Sequence, residues 1–233
     1  MSDKHMSTQF DAELSGISNR VLEMGGVVES QVAQALHALT HFSGETAEQV
    51  LKTEERVNQM EVEIDRELSA IIARRQPTAR DLRLLIAVSK SIANLERAGD
   101  EAARIARVVQ RLISVGVSTR MPVSDIGFAG ELAIALLRKS LDAFARLDTA
   151  RALEVLKQDD QIDQEFEGLL RKLITFMMED PRTISASIDL VFVAKAVERV
   201  GDHAKNVAEA IIYVVKGTDV RHASMADVEN VVR

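Results

Sequence analysis

Glu96-Arg97-Ala98-Gly99-Asp100-Glu101-Ala102 and Glu198-Arg199-Val200-Gly201-Asp202-His203-Ala204 are two copies of one motif, 102 residues apart. With Ala106 and Ala208, six of eleven positions are identical, more than shared amphipathicity alone supplies. A second stretch repeats at a shift of 105. Leu36, Ala38, Val50, Leu51 and Lys52 meet Leu141, Ala143, Val155, Leu156 and Lys157, while Glu54, Glu55 and Val57 meet Asp159, Asp160 and Ile162. The shift changes at the breaks holding Pro77 and Pro181, where a loop absorbs three residues. A chain that repeats itself at this period is built from two homologous units.

Each unit reads as three long helices. Phe10, Leu14, Ile17, Val21, Met24, Val28, Ala35, Leu39 and Phe42 place one apolar stripe on a helix over about 8–42. Ser43-Gly44 breaks it and Thr46 is the expected cap of a second helix, which carries Val50, Val57, Ile64, Leu68 and Ile71 to about Arg75. After Gln76-Pro77-Thr78 a third helix runs to the neighbourhood of Gly116. The stretch 115–123, with Gly116, Ser118, Thr119 and Pro122, reads as a linker. Helices over about 125–147, 149–178 and 182–216 follow, and 217–233 has a weaker pattern. The expected fold is all-α, with six long helices in two pseudo-symmetric three-helix bundles. Its divisions are a first repeat over 1–120, a second over 121–216 and a C-terminal tail over 217–233.

Composition agrees. Three prolines, one Tyr and no Trp in 233 residues disfavour a sandwich, a barrel or a turn-rich enzyme. With 46% hydrophobic residues the chain can bury a core. The absence of Cys excludes disulfides, thiolate metal sites and thiol nucleophiles. A net charge of −7 makes the chain as a whole a poor ligand for nucleic acid or an anionic bilayer. Met1 to Asp11 is polar and charged, unlike a signal peptide. The most apolar stretches, 184–194 and 207–215, are too short to span a membrane and are interrupted by Asp189 and Glu209. The expected location is cytoplasmic.

The chemistry-bearing residues are carboxylates. In each motif Glu and Asp stand four apart and so share one helix face beside the apolar seam. The glycine between them, Gly99 or Gly201, costs about 1 kcal/mol against Ala in a helix interior. Its recurrence implies close approach of another backbone or a ligand. Hairpin register identifies what lies opposite. Glu54 and Asp100 are equidistant from Pro77, as are Asn58 and Glu96; about the Asp180-Pro181 break, Asp159 pairs with Asp202 and Asp163 with Glu198. The repeat alignment independently equates Glu54 with Asp159 and Asn58 with Asp163. Converging carboxylates repel unless protonated or bridged by cations, which points to oxygen-ligand metals of the Mg, Ca, Mn or Fe kind. Candidate ligands are therefore Glu54, Glu96, Asp100, Asp159, Asp163, Glu198 and Asp202, with Asn58 weakening the first site. Glu61 and Asp65 are a second choice. Against this stands the plain alternative that Glu96 and Glu198 pair with arginines such as Arg97, Arg104 and Arg199 on solvated faces.

Other catalytic signals are missing. His37 and His41 have metal spacing but read as a solvated helix face. The Glu-x-x-His pairs of di-iron bundles do not occur on core helices. No Gly-rich phosphate loop follows a strand. Ordinary catalysis is disfavoured, and no catalytic residue or organic cofactor is expected.

The duplicated E-R-x-G-D-x-A motif resembles that of the PhoU family of phosphate-specific transport accessory proteins. Residues 76–83 (Gln-Pro-Thr-Ala-Arg-Asp-Leu-Arg), Met177-Met178-Glu179-Asp180-Pro181-Arg182, Val215-Lys216-Gly217 and Arg221-His222 are similar to that family as well. The resemblance covers about 8–222. It implies two three-helix bundles related by a pseudo-twofold axis, often in a homodimer. It also implies a negative regulator of the phosphate-starvation (Pho) regulon and of phosphate uptake, linking the ATPase subunit of the Pst phosphate ABC transporter to the sensor histidine kinase PhoR and reaching the inner membrane through these partners. The family's E(D)-x-x-x-D motifs, associated with bound metal such as Mg, Mn, Fe or Zn, map onto Glu96/Asp100, Glu198/Asp202 and Asp159/Asp163, and Glu54/Asn58 departs from them. A metal-binding or metal-dependent carboxylate bundle with no Pho role, and a helical adaptor without metal, are the competing readings.

Overall fold

The computed structural model describes residues 8–116 and 121–233. They form seven α-helices: α1 (Thr8–His41), α2 (Gly44–Arg75), α3 (Ala79–Val115), α4 (Val123–Arg146), α5 (Thr149–Glu179), α6 (Ile184–Lys216) and α7 (Met225–Val232). The turn Pro181–Thr183 is 3₁₀ and leads into α6. Residues 117–120, the middle of the expected linker, lie outside the described residues, as do residues 1–7.

The helix ends follow from local chemistry. Ser43, in extended conformation, caps α2 by accepting from the Thr46 amide, so the cap lies three residues before the expected Thr46. Gln76 ends α2 in the left-handed region, where its amide reaches the Ile72 carbonyl, and Thr78 starts α3. Gly116 and Gly217 end α3 and α6 at φ 71° and 74°, a conformation without penalty only for glycine. Asp148 caps α5 by accepting from the amides of both Ala150 and Arg151. Asp148→Ala leaves those two donors without a partner and is expected to cost about 1 kcal/mol in urea unfolding.

α2 packs on α1 and α3, α5 packs on α4 and α6, and the repeats meet where α3 lies along α6 and α1 along α4. Where α3 meets α6, the buried Ala87 of α3 clusters with Ala210 and Val214 of α6, small side chains that let two helices of more than thirty residues run close together. One hydrophobic cluster extends from Leu14 of α1 to Val228 of α7 and crosses the repeat boundary.

The tail differs from expectation. Its weak periodicity hides a seventh helix, capped by Ser224 and anchored by Val228, which is 2% exposed, and by an ion pair between Glu229 and Lys157 of α5. An eight-residue helix supplies too few turns for a stripe to stand out.

Candidate metal centre

α5 and α6 bring Asp159, Asp163, Glu198 and Asp202 into one electrostatic cluster. Gly201 makes this approach available: a Cβ there would lie 2.8 Å from Ile162 Cδ1 and 3.6 Å from Asp159 Oδ1. The close approach implied by the recurring glycine is thus that of the neighbouring helix. Burial first, and then the charges of Glu198, Asp159 and Asp163, push the Asp202 carboxyl up to about 6. Asp163 is raised as well, by burial and by Asp159 and Glu198.

Lysines offset part of this charge. Lys205 Nζ donates to Asp159 Oδ2 at 2.7 Å, and Lys195 Nζ donates to Glu198 Oε1 at 2.5 Å. Glu198 Oε2 remains buried without a hydrogen-bond partner. An orphaned carboxylate oxygen among three further carboxylates is a donor set that fits a hard cation. The side chains are not gathered around a point, however: among the described residues no group of three His, Asp or Glu side chains stands at metal-holding distance. Two of the four are turned toward lysines, and a cation would have to draw them away.

The equivalent place in the first repeat is assembled differently. α3 contributes Glu96 and Asp100, and α2 contributes Glu61, the second-choice residue. Burial, then Asp100 and Glu61, push Glu96 up to about 7, with Arg97 opposing and Glu54 adding a smaller increment. Glu61 is raised by burial, Asp65 and Asp100. Glu54 does not stay on Asp100: Arg107 Nη2 donates to its Oε1 and Oε2 at 2.9 and 2.7 Å. Gly99 again permits close packing, here against Gln31 Oε1 of α1 at 3.0 Å and Val57 of α2 at 3.3 Å from an added Cβ.

The arginine pairing expected of Glu96 and Glu198 takes another form. Glu198 takes Lys195, and the arginines Arg199 and Arg104 instead hold Glu101, at 3.1 and 3.4 Å. Register counting misses Lys195 and Lys205 and places Glu61 second, because it ranks positions along a hairpin and says nothing of side-chain direction. Lys205 carries a faint signal, since it follows Asp202 by three residues on the same helix. His37 and His41 stack on each other at 4.0 Å on an exposed face of α1.

The comparisons agree with this architecture. The PhoU domain family matches residues 21–109 and 128–211. A phosphate-specific transport system accessory protein PhoU homolog from Burkholderia sp is 49% identical over 225 residues, covering 96% of each chain. The phosphate-specific transport system accessory protein PhoU of Escherichia coli (strain K12) is 43% identical, over 94% of this chain and 90% of its own. The crystal structure of PhoU from Pseudomonas aeruginosa superposes with a TM-score of 0.84 at 45% identity, over 90% of this chain and all of that one. The phosphate transport system regulatory protein PhoU from Streptococcus pneumoniae gives 0.83 at 28% identity, over 91% and 99%. A duplicated three-helix sequence, a matching backbone and near full-length identity converge on one conclusion: the chain belongs to the PhoU family.

Proposed function

We propose that this protein is an accessory regulator of a phosphate-specific transport system. It acts without catalysis as an adaptor between the ATPase subunit of the Pst transporter and the PhoR sensor kinase, and it represses the Pho regulon when phosphate is plentiful. The observation that carries this reading is near full-length identity, 49% over 96% of the chain, to a relative named as such an accessory protein. In this reading the two repeats act as three-helix bundles related by a pseudo-twofold axis, often in a homodimer. No described helix is long and apolar enough to cross a membrane, so contact with the inner membrane would run through partners.

Metal at the carboxylate clusters belongs to the same proposal. A bound Mg, Mn, Fe or Zn ion would supply positive charge that joins α5 to α6, or α2 to α3. Asp159, Asp163, Glu198 and Asp202 would hold it in the second repeat, and Glu96, Asp100 and Glu61 in the first, with Glu54 already engaged by Arg107. Without it, Lys195 and Lys205 offset part of the charge of the α5–α6 cluster.

A pull-down from native membranes tests the adaptor role. At high phosphate the tagged protein is expected to recover both the transporter ATPase subunit and the sensor kinase, and deleting the gene is expected to release starvation-gene expression. Recovery of neither partner, with expression still repressed after deletion, would sink the proposal.

A further inference from the structure

Granted the homodimer of the proposed function, on which this contact rests, we propose that its two copies meet through the outer face of the α5–α6 hairpin. Ile174 and Met178 of α5 and Ile184, Ile188 and Phe192 of α6 are large apolar residues left 41% to 80% exposed. Spaced four apart, they form a stripe along each helix. Hairpin register joins the two stripes. Lys195 Nζ lies 5.3 Å from the centre of the Phe166 ring. Counting from that pair toward the turn, Ile174 falls beside Ile188 and Met178 beside Ile184.

The duplication supplies a control. At the shift of 105, Phe166, Leu170, Ile174 and Met178 correspond to Glu61, Asp65, Ser69 and Ala73, and at the shift of 102 Phe192 corresponds to Lys90. Ile184 and Ile188 have the apolar equivalents Leu82 and Ile86, and both of those are half-buried. One helical hairpin is thus built twice, with this face largely polar or small in the first repeat and apolar in the second. The three-helix packing does not require an apolar face there, and leaving it in water stabilises nothing within the monomer.

Size and charge select a second copy of the chain as the occupant. The five side chains together expose roughly 500 Å², in the upper part of the range that a monomer leaves in one patch. A standard interface buries about 800 Å² on each partner, somewhat over half of it apolar, so this patch with its polar rim is the size of one. The basic residues that border the face are paired within the chain: Arg171 with Glu167, Arg182 with Asp180 and Lys195 with Glu198. A strongly charged partner gains little from such a rim, whereas two copies of net charge −7 meet there where charge is locally balanced. A twofold axis lets the same patch serve both sides of the contact. Stacking two antiparallel hairpins in this way gives a four-helix arrangement.

Sedimentation equilibrium of the full chain at about 1–100 μM tests this. The parent is expected to be a dimer, and Met178→Lys with Phe192→Lys is expected to raise the dimer Kd at least about thirtyfold. Both side chains are exposed, so helicity by circular dichroism should not change. Val62→Lys, at an exposed apolar residue of α2 in the first repeat, should leave the dimer intact. Because the chain has no cysteine, Ile188→Cys reports on the face while keeping it apolar: a flexible bismaleimide should join two copies of it, and should not join two copies of Val62→Cys. A dimer that survives the double change, or that cross-links through position 62 and not 188, overturns the α5–α6 contact while the homodimer stands. A parent that sediments as a monomer overturns both and leaves the face to a different protein.

Discussion

Replacing Glu198 with Gln and Asp202 with Asn together is expected to stabilise the metal-free protein at neutral pH and to abolish its stabilisation by divalent cations. Asp202 is raised from 3.8 to about 6, and Glu96 from 4.5 to about 7. Each therefore binds its proton more tightly in the folded state than in the unfolded one. Their contribution to stability falls as pH rises from about the unfolded value to the folded value, and above the folded value the full penalty is present. The EDTA-treated parent should thus lose stability between about pH 4 and 7 from these groups. The Asp202 shift converts at face value to about 3 kcal/mol, but solvent screening of a half-exposed carboxylate reduces this to about 1 kcal/mol. A cation at a hundred times its Kd adds about 2.7 kcal/mol to the parent, or about 5–10 °C for a chain of this size. Thermal unfolding with and without Mg, Mn, Fe or Zn, beside elemental analysis, reads both effects. A parent whose melting temperature no cation moves, and which carries no metal, would count decisively against the metal reading. A double variant that still responds fully would place the metal elsewhere.

Much of the cluster is legible in the sequence because a helical hairpin converts counting into geometry. Pro77 and Pro181 mark corresponding breaks, and residues equidistant from them face one another as long as neither helix is interrupted. Asp159, Asp163, Glu198 and Asp202 follow that rule. Glu54 departs from it because Arg107, two turns beyond Asp100, offers a charged partner, and a flexible glutamate turns to it. Lys195 and Lys205 are hidden for the same reason, since rotamer choice is decided by neighbours and not by spacing. The helices themselves are legible from period and breaks to within a few residues. The pairing of α3 with α6 and of α1 with α4 is not, because periodicity marks an apolar face without naming what covers it.

Gly130→Ala is expected to destabilise the protein, against the trend for a glycine inside a helix, and Leu36→Ala is expected to relieve that cost. At Gly130 an added Cβ would lie 2.3 Å from Leu36 Cδ1, 2.6 Å from Cδ2 and 3.0 Å from Cγ. At Gly25 the same atom would lie 2.4, 2.7 and 3.1 Å from Leu141 Cδ2, Cδ1 and Cγ. Gly25 and Gly130 stand 105 residues apart, as Leu36 and Leu141 do, so each repeat offers a hole in which the other repeat's leucine sits. Because both methyls and the branch carbon make contact, turning one methyl does not clear the space, and either the leucine changes rotamer in a filled core or α1 and α4 separate. Overpacking of this kind costs about 1–3 kcal/mol, against about 1 kcal/mol gained from helix propensity; with three side-chain atoms in the way the cost is expected in the upper part of that range, which leaves a net loss of up to about 2 kcal/mol. Leu36→Ala alone empties a site only 6% exposed and should cost about 2–5 kcal/mol. In the double variant the alanine methyl occupies part of that space, so the total should fall short of the sum of the single costs by about 1 kcal/mol or more. Urea unfolding of the four proteins gives the coupling directly. If Gly130→Ala instead stabilises by the full propensity gain, or if the two changes are simply additive, the leucine is not held by that hole and the α1–α4 seam joins the repeats less tightly than its geometry indicates.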